Sequence, residues 1–537
     1  MKNNTVFPCI RINPLVKGFL LCGLYGMAGI GHADTIVGRP TQITGDSPIN
    51  YDGCLAQTQR STLYRNSESE PFLAVNPLDP KNMIVAYHQD RFAKTGGAGA
   101  IGSHYTKDGG KSWHRVTIPF TYCSGATAGA VGAFDRTTDP WVAFEAKGNK
   151  AHIIGLSFDQ DPFTGHIGGT VMVANSENGG ESYRNPLVKI QEVSRLGPNV
   201  RLLDKNSITA DPNIKGKLHA VWITYTGPNK DIGKSFYSSS LDSGRTWTAG
   251  KRIYNPKNDF SPDEAIESIE TQGNQIAVLP SGTLVNVFVR NTATPSGEQL
   301  SDIGVIRSTN QGEKWSKDPF IISGLVNRPI VDVVNGADIP IRGTEASLPD
   351  VAVDRKTGHL YVVWAARDGS DNDKNSVFIS KSINEGLTWS PKKKINQAPT
   401  VDAFIPVVHV ADNGIVGVLY YDMRYDAPND TEFTADAFLL TLTPDLKVRE
   451  KGETRLSPTS MDLRQAALLI SGSTPPLPNG YFLGDYFGLD SVVNDFVAAY
   501  TVVNPLGLSI VLPDPQAFAI DNHNRQDIWF AKISTAK

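Results

Sequence analysis

The feature that most constrains this chain is an octapeptide that recurs five times along its 537 residues. Each copy has the form Ser/Thr-x-Asp/Asn-x-Gly-x-(Ser/Thr/Lys)-aromatic, as in Thr106-Lys-Asp108-Gly-Gly110-Lys-Ser112-Trp113. The copies span 106–113, 176–183, 240–247, 308–315 and 382–389, so successive copies begin 70, 64, 68 and 74 residues apart. A near-constant period of this size is typical of a repeat architecture in which every repeat is one supersecondary unit.

The octapeptide has the composition of a tight hairpin turn. The Asp or Asn side chain is expected to accept hydrogen bonds from backbone N–H groups of the turn, and the Gly supplies the positive φ that the turn needs. The terminal aromatic side chain is expected to pack back between strands. Each copy is therefore predicted to join two antiparallel strands.

Short runs of apolar, strand-forming residues, separated by Gly, Asn, Asp and Pro, precede each octapeptide and continue beyond the last one. They form seven units, of which the seventh ends near 528–533 with room for only three strands. The segment Thr35–Thr44 is the candidate for its missing outer strand. The units begin near Glu70, Asp139, Asp211, Gln275, Asp350, Phe404 and Asp485.

The octapeptide resembles the Asp-box, or BNR repeat, of the sialidase (neuraminidase) superfamily. The resemblance covers roughly residues 65–395 well and the rest more loosely. It implies an all-β fold, a single β-propeller of four-stranded blades over 34–537, in which the box joins the third and fourth strands and plays a structural role. Seven blades are favoured by the unit count, and six, the number in sialidases, is the alternative.

Composition removes several other classes of protein. The 55 acidic and 51 basic side chains give a net charge of −4, which argues against a nucleic-acid binder that neutralises phosphates. Residues 1–33 combine early basic residues, a short apolar stretch and a small-residue ending at Ala33, which is typical of a secretory signal peptide. We therefore expect a secreted or periplasmic protein that is cleaved near Ala33, with no membrane span in the remainder.

Export changes the interpretation of the four cysteines. Cys9 and Cys22 lie in the expected signal peptide, so the mature chain keeps Cys54 and Cys123. In a compartment that permits disulfides this pair is predicted to be bridged, and two free buried thiols are the alternative.

Candidate site residues lie at the strand ends that share one face of a propeller. By resemblance to the sialidases, Asp90 is the candidate acid/base group, and Arg290 and Arg367 are candidates for two arginines that bind the carboxylate of an acidic sugar. Guanidinium groups bind carboxylates through two parallel hydrogen bonds, which makes Arg the expected residue type. Arg91 and Arg424 are further candidates for this set.

The chain departs from the sialidase pattern at three places. The opening Arg-Ile-Pro is replaced by Ser69-Glu70-Pro71, so Arg65 or Arg91 would have to supply the first arginine. The nucleophilic Tyr aligns with Phe404 in the sixth unit and is recovered as Tyr486 in the seventh. The Glu that activates this Tyr is absent from its place before Gln275, where Glu270 is the nearest carboxylate.

Two functions follow from these residues. The first is a sialidase-like exo-glycosidase that hydrolyses a terminal acidic sugar from a glycan, with Asp90, Tyr486 and Glu270 as catalytic residues. The second is a non-catalytic propeller that binds glycan or protein through the same charged face. No His/Cys set has metal-ligand spacing, so neither a catalytic metal nor a cofactor is expected. The acidic loop at 368–373 is interpreted as solvated, with a calcium site as the alternative.

Overall fold

The structure is a computed structural model that describes residues 35–36, 38–54, 61–94, 96–161, 165–193, 201–226, 233–255, 268–293, 299–325, 341–342, 348–367, 374–427, 432–470, 478–505 and 519–535. Within these ranges the chain is all-β, as predicted, apart from one 3₁₀ turn at Leu463–Gln465. The predicted signal peptide at 1–33 and the acidic loop at 368–373 lie outside the described residues.

The strands of the first half begin with three short ones and continue in four groups of four. The short strands are β1 (Thr35–Ile36), β2 (Thr41–Gln42) and β3 (Thr62–Tyr64). Group 1 comprises β4 (Ser69–Val75), β5 (Met83–Phe92), β6 (Ala98–Thr106) and β7 (His114–Thr117). Group 2 comprises β8 (Arg136–Phe144), β9 (Ala151–Asp161), β10 (Gly165–Ser176) and β11 (Val188–Val193). Group 3 comprises β12 (Arg201–Ala210), β13 (Leu218–Thr226), β14 (Lys234–Ser240) and β15 (Lys251–Tyr254). Group 4 comprises β16 (Ser268–Val278), β17 (Leu284–Ala293), β18 (Gln299–Ser308) and β19 (Phe320–Leu325).

The second half continues this order. Group 5 comprises β21 (Asp350–Val353), β22 (Leu360–Arg367), β23 (Asn375–Ser382) and β24 (Lys393–Lys394), after the short strand β20 (Ile341–Arg342). Group 6 comprises β25 (Ala403–Val410), β26 (Val416–Asp422), β27 (Thr434–Leu442) and β28 (Val448–Arg455). An insertion then holds β29 (Met461–Asp462), β30 (Ala467–Ile470) and β31 (Pro478–Phe482). Group 7 comprises β32 (Gly488–Val492), β33 (Asp495–Pro505) and β35 (Asn524–Ser534), with β34 (Ala519–Asp521) beside β3.

Each of the first six groups is an antiparallel sheet in which consecutive strands are neighbours, from the first strand to the fourth. Groups 1 and 2 are joined into one larger sheet by a single pairing between Ala98 and Thr137. This hairpin-linked order is the one expected from short strands separated by turn residues.

Successive groups pack face to face because both faces of their central strands are apolar. In β22, Leu360, Val362 and Trp364 pack against group 4, while Tyr361 and Val363 pack against group 6. Equivalent clusters join every consecutive pair of groups from 1 to 7. A further cluster joins group 7 to group 1, with Val497 and Phe530 against Leu73 and Val85.

The outer edge of group 7 is formed by the N-terminal strands. Thr35 pairs with Ser534 and Thr41 pairs with Phe530, both in antiparallel register with β35. This is the pairing that was predicted for the Thr35–Thr44 segment.

The five octapeptides lie between the third and fourth strands of groups 1 to 5, as expected. In the first copy Asp108 accepts hydrogen bonds from Lys111 N at 2.9 Å, Ser112 N at 3.0 Å and Ser112 Oγ at 2.6 Å. Asn178, Asp242, Asn310 and Asn384 accept from the equivalent backbone N–H groups of their own copies. The predicted role of the Asp or Asn side chain is therefore confirmed.

Cys54 and Cys123 are joined by a disulfide with their Cα atoms 5.1 Å apart, which is the predicted pairing. The bridge ties the N-terminal segment to the loop that follows group 1, where both cysteines pack against Ile49, Tyr51 and Phe92.

Candidate functional site

The first strands of five groups carry the same backbone irregularity. Their register with the second strand shifts by a bulge between Ser69 and Phe72 in group 1, and at the matching place in groups 2, 3, 4 and 6. Each bulge contains one residue at positive φ, which is uncommon for any residue except Gly. These residues are Glu70 (52°), Asp139 (53°), Lys205 (52°), Gly273 (62°) and Ile405 (49°).

Four of these bulges, in groups 2, 3, 4 and 6, line a pocket. Group 5 contributes the first residue of β21 and the two residues before it, and group 7 contributes residues just ahead of β32. The pocket encloses about 30 Å³, which is room for about two water molecules. Its described lining combines charged, amide and aromatic side chains with an apolar rim. The lining residues include Asp139, Trp141, Lys205, Asn206, Asn274, Gln275, Leu348, Pro349, Asp350, Pro406, Val407, Asp485 and Tyr486.

Lys205 is the centre of the charged cluster in this pocket. Its ammonium group donates to Asp485 Oδ2, and its backbone N–H donates to Asp139 Oδ2 at 2.7 Å. The backbone N–H of Asp485 in turn donates to Glu70 Oε1 at 3.2 Å, so the carboxyl of Glu70 lies directly behind Asp485. The ammonium of Lys205 is therefore paired with Asp485, and the carboxyl groups of Asp139 and Glu70 lie near enough to act on it electrostatically.

Burial and mutual repulsion shift the acidity of these groups toward neutral pH. Desolvation, reinforced by Asp485, raises the pKa of Glu70 to about 8, and desolvation raises the pKa of Asp139 to about 7 although Lys205 opposes the shift. Desolvation also raises the pKa of Asp350 to about 7. For Lys205, desolvation would lower the pKa, but the carboxylates of Asp485 and Asp139 hold it well above its usual value.

Tyr486, predicted as the nucleophile, lies in this pocket and is 8% exposed. Its hydroxyl donates to the backbone carbonyl of Pro140 at 2.9 Å, and its ring meets that of Trp141 edge to face at 5.0 Å. Burial and the neighbouring Glu70 carboxyl raise the pKa of the hydroxyl. The glutamate beside Tyr486 is thus Glu70, whereas Glu270 was expected.

The structure does not bring Asp90 or Glu270 to the pocket. Asp90 is fully buried, and its carboxylate accepts from Ser47 Oγ, from the Tyr51 hydroxyl at 2.5 Å and from Asn66 N at 2.7 Å. These donors come from the N-terminal segment and from the turn between β3 and β4, which close over the end of β5. Glu270 is half-buried in β16 and accepts from Gln272 Nε2 at 2.8 Å.

The four predicted arginines do not converge on the pocket either. Arg290 donates to Asp302 on the next strand, at 2.6 and 3.2 Å, and Arg424 contacts both Asp422 and Glu453. Arg91 is buried, with its guanidinium 4.2 Å from the centre of the Phe482 ring. Arg367 is the last residue of β22, opposite Asn375.

Sequence reasoning missed Asp139, Lys205, Asp350 and Asp485 as site residues. A signal for two of them was present, because the bulge residue lies 35 to 37 positions before its octapeptide. This spacing separates Glu70 from Thr106, Asp139 from Ser176, Lys205 from Ser240 and Gly273 from Ser308.

The described ranges show neither a metal cluster nor a membrane-spanning helix. No cluster of three or more His, Cys, Asp or Glu side chains there has a metal-binding arrangement. No helix in the same ranges is long and apolar enough to cross a membrane.

No family model matches the chain, and no curated protein matches its sequence. Solved structures do resemble it. An α-L-arabinofuranosidase of Fusarium graminearum is 12% identical with a TM-score of 0.42, over 67% of this chain and 91% of that one. An α-L-arabinanase of Penicillium chrysogenum, complexed with arabinobiose, is 14% identical with a TM-score of 0.42, over 72% and 94%. A Hadza microbial sialidase is 12% identical with a TM-score of 0.42, over 85% and 74%. At such identities and TM-scores, the resemblance to these glycoside hydrolases assigns no activity to this chain.

Proposed function

We propose that the seven strand groups are the blades of one closed β-propeller. Two observations support closure: the apolar cluster between groups 7 and 1, and the pairing of β1 and β2 with β35. A hydrogen bond from Val75 N to Asp490 Oδ2, at 2.7 Å, joins the first strands of the same two groups. Closure of this kind leaves only short, protected sheet edges.

We further propose that the protein is an exported glycan hydrolase whose catalytic groups meet in the pocket at the first strands. The observation that carries this proposal is the set of carboxyl groups around Lys205, two of which have pKa values near neutral. A general acid works best when its pKa lies near the working pH, and glycosidases typically use one protonated and one ionised carboxyl group.

In this scheme Asp139 donates a proton to the leaving oxygen as the glycosidic bond breaks. A water molecule then forms the new bond to the anomeric carbon and returns a proton to Asp139, so that the sugar is released with a free hydroxyl group. Asp485, which is paired with the ammonium of Lys205, stabilises the positive charge that develops at the anomeric carbon. The pocket is too small for a whole sugar ring, so the ring lies at its mouth and one small group enters. A nucleophilic role for Tyr486 remains a prediction from the sialidase resemblance.

The test is turnover of a panel of fluorogenic glycosides, acidic and neutral, by the mature protein and by Asp139→Asn and Tyr486→Phe. We expect kcat to fall by about 10²- to 10⁴-fold in Asp139→Asn. Asp354→Asn is the matched control, since Asp354 lies at the far end of β21, where it accepts from Lys356 N and Thr357 N. Unchanged activity in Asp139→Asn would remove it as the acid. The N-terminal residue of the secreted protein tests cleavage after Ala33.

A non-catalytic propeller that binds glycan or protein is the second candidate. The observation that favours it is the completeness of the ion pairs, because Lys205, Arg290 and Arg424 are each already bonded to carboxylates. Binding of glycans without turnover of any glycoside would support this function over the hydrolase.

A further inference from the structure

We infer that the pocket selects a sugar that carries no carboxylate, in contrast to the acidic sugar predicted from the sequence. This inference names the substrate class of the proposed site and therefore rests on the proposed function. It follows from the balance of charges, from the location of the arginines and from the hydrogen-bonding groups that line the pocket.

The charge balance of the pocket is negative. Among its described lining residues, Asp139, Asp350 and Asp485 are acidic and Lys205 is the one cation. The ammonium of Lys205 is already bonded to Asp485, and the carboxyl of Glu70 stands behind that pair. Above about pH 8, where these carboxyl groups are ionised and where the binding comparison is made, an entering carboxylate would meet like charges at short range, and the described lining offers no unpaired cation to neutralise it.

The guanidinium groups that would bind a carboxylate are engaged inside their own strand groups. Arg290 is bonded to Asp302, and Arg424 is held between Asp422 and Glu453. Releasing one of them for a ligand would leave a buried or half-buried carboxylate without its partner, which is costly.

The hydrogen-bonding groups of the pocket suit a ligand that donates. The carboxylates are acceptors, and Asn206 Oδ1 is a buried acceptor with no hydrogen-bond partner in the described part of the chain. The amide nitrogen of Asn206 is already used, because it donates to the backbone carbonyl of Asp139 at 2.9 Å. Sugar hydroxyl groups are donors that would satisfy such acceptors.

The rim of the pocket supplies an apolar surface to go with these acceptors. The rings of Trp141 and Tyr486 and the side chains of Leu348 and Val407 line it. Such a surface can pack against the C–H face of a sugar ring while one hydroxyl group reaches the acceptors. An uncharged or amino sugar fits both features, and a sialic or uronic acid does not.

The experiment compares three matched ligands: a methyl hexoside, the corresponding 2-amino-2-deoxyhexoside and the corresponding hexuronoside. Binding to the full mature protein is measured above about pH 8 by calorimetry and by saturation-transfer NMR. We expect the hexoside and the aminohexoside to bind at least tenfold more tightly than the hexuronoside. Equal or tighter binding of the hexuronoside, or binding of none of the three, would overturn the inference.

Two variants test whether the affinity ranking of the three ligands depends on the pocket. Asp350→Asn removes one negative charge and is expected to reduce the discrimination against the hexuronoside several-fold, whereas Asp354→Asn leaves it unchanged. If the ratio of hexoside affinity to hexuronoside affinity were the same in Asp350→Asn and Asp354→Asn, the role assigned to the charge of Asp350 would be contradicted. Turnover is measured separately on the same ligands as aryl glycosides. The expected binding order without turnover would refute the hydrolase and leave the substrate class standing.

Discussion

The two ends of the strand groups use the same side chain, an aspartate, in opposite ways. At the octapeptides, Asp108 and Asp242 are surrounded by N–H and O–H donors of their own turn, and these hydrogen bonds lower the pKa of each carboxyl. At the bulges, Asp139 is buried beside other carboxyl groups and its pKa rises to about 7. The first environment keeps the charge permanent, and the second makes it responsive to a proton near neutral pH.

This difference shows which positions of a repeat protein can carry catalytic or binding side chains. The octapeptides repeat both backbone and side chains, because their task in every group is to close the same turn. The bulges repeat only the backbone, and their side chains change from Glu to Asp, Lys, Gly and Ile. Because the backbone of the bulge is repeated while its side chain varies, each first strand can present a different functional group at the same position.

The largest effect on stability is expected when a side chain is added at a tightly packed glycine of the first octapeptide. Gly110 has a φ of 87°, and a Cβ there would overlap the ring of Phe530 in group 7. Gly110→Ala should reduce the free energy of unfolding by about 3 kcal/mol, since the backbone strain and the overlap add. Denaturant unfolding monitored by tryptophan fluorescence measures it.

Gly109 is the matched control for this substitution. Its φ is 79°, and a Cβ there would have no neighbour within 4 Å. Gly109→Ala should therefore show the backbone cost alone, about 1 kcal/mol. An equal loss in both variants would mean that the contact between the first octapeptide and group 7 contributes nothing.

An intermediate effect is expected from Asp139→Asn, and its size depends on pH. The folded-state pKa of about 7 lies above the ordinary value of 3.8, so the folded protein retains a proton that the unfolded chain has released. Stability is therefore lost as the pH rises from about 4 to about 7. Asp139→Asn lacks this proton and should gain about 2 kcal/mol relative to the parent protein across that window.

Unfolding at several pH values, with Asp354→Asn alongside, checks this prediction. The pKa of Asp354 is lowered in the folded state despite desolvation, because Thr357 and nearby backbone N–H groups donate to it. Its variant should therefore be less stable than the parent by a constant amount above about pH 4, and this deficit should shrink as the pH falls below that value. Parallel curves for the two variants would show that the two ends of the groups do not differ electrostatically.

The smallest effect is expected when the octapeptide aspartate is replaced by asparagine. Three of the five copies already have Asn at this position, where the amide oxygen accepts the same backbone hydrogen bond. Asp242→Asn should change the unfolding free energy by less than about 0.5 kcal/mol, and Asp242→Ala should cost about 1 kcal/mol. An equal loss of unfolding free energy in Asp242→Asn and Asp242→Ala would show that the charge, and not the accepted hydrogen bond, stabilises the turn.

Features that depend on local order along the chain, or on one segment or residue left with a single possible partner, were predictable from sequence. The octapeptide hairpins, the pairing of Thr35–Thr44 with the last strand and the Cys54–Cys123 bridge all follow from spacing or from a missing partner. The four-strand groups follow because the alternation of apolar and turn residues specifies hairpins. The rules that specify the hairpins act over a short range of sequence, and the tertiary structure does not override them.

The site was predicted less well because its residues depend on neighbours that are distant in sequence. The sequence places Asp90 at a strand end on the predicted site face. In the structure it is covered by Ser47 and Tyr51, which lie about forty residues earlier in the chain. Arg290 and Arg424 resemble ligand-binding residues until later strands of their own groups supply Asp302, on β18, and Glu453, on β28. Only its spacing before Ser240 marked Lys205, since Asn206 follows it, whereas Pro follows the bulge residues Glu70, Asp139 and Ile405.

The pairing of β1 and β2 with β35 has a consequence for how the protein is made. The outer edge of the last sheet is built from β1 and β2, and these strands must wait during synthesis until β35, at the far end of the fold, has been made. Contacts of such long sequence separation form late and slow folding. Deletion of β1 and β2 and deletion of β35 should therefore produce the same defect, an open seam between group 7 and group 1, although they remove opposite ends of the polypeptide.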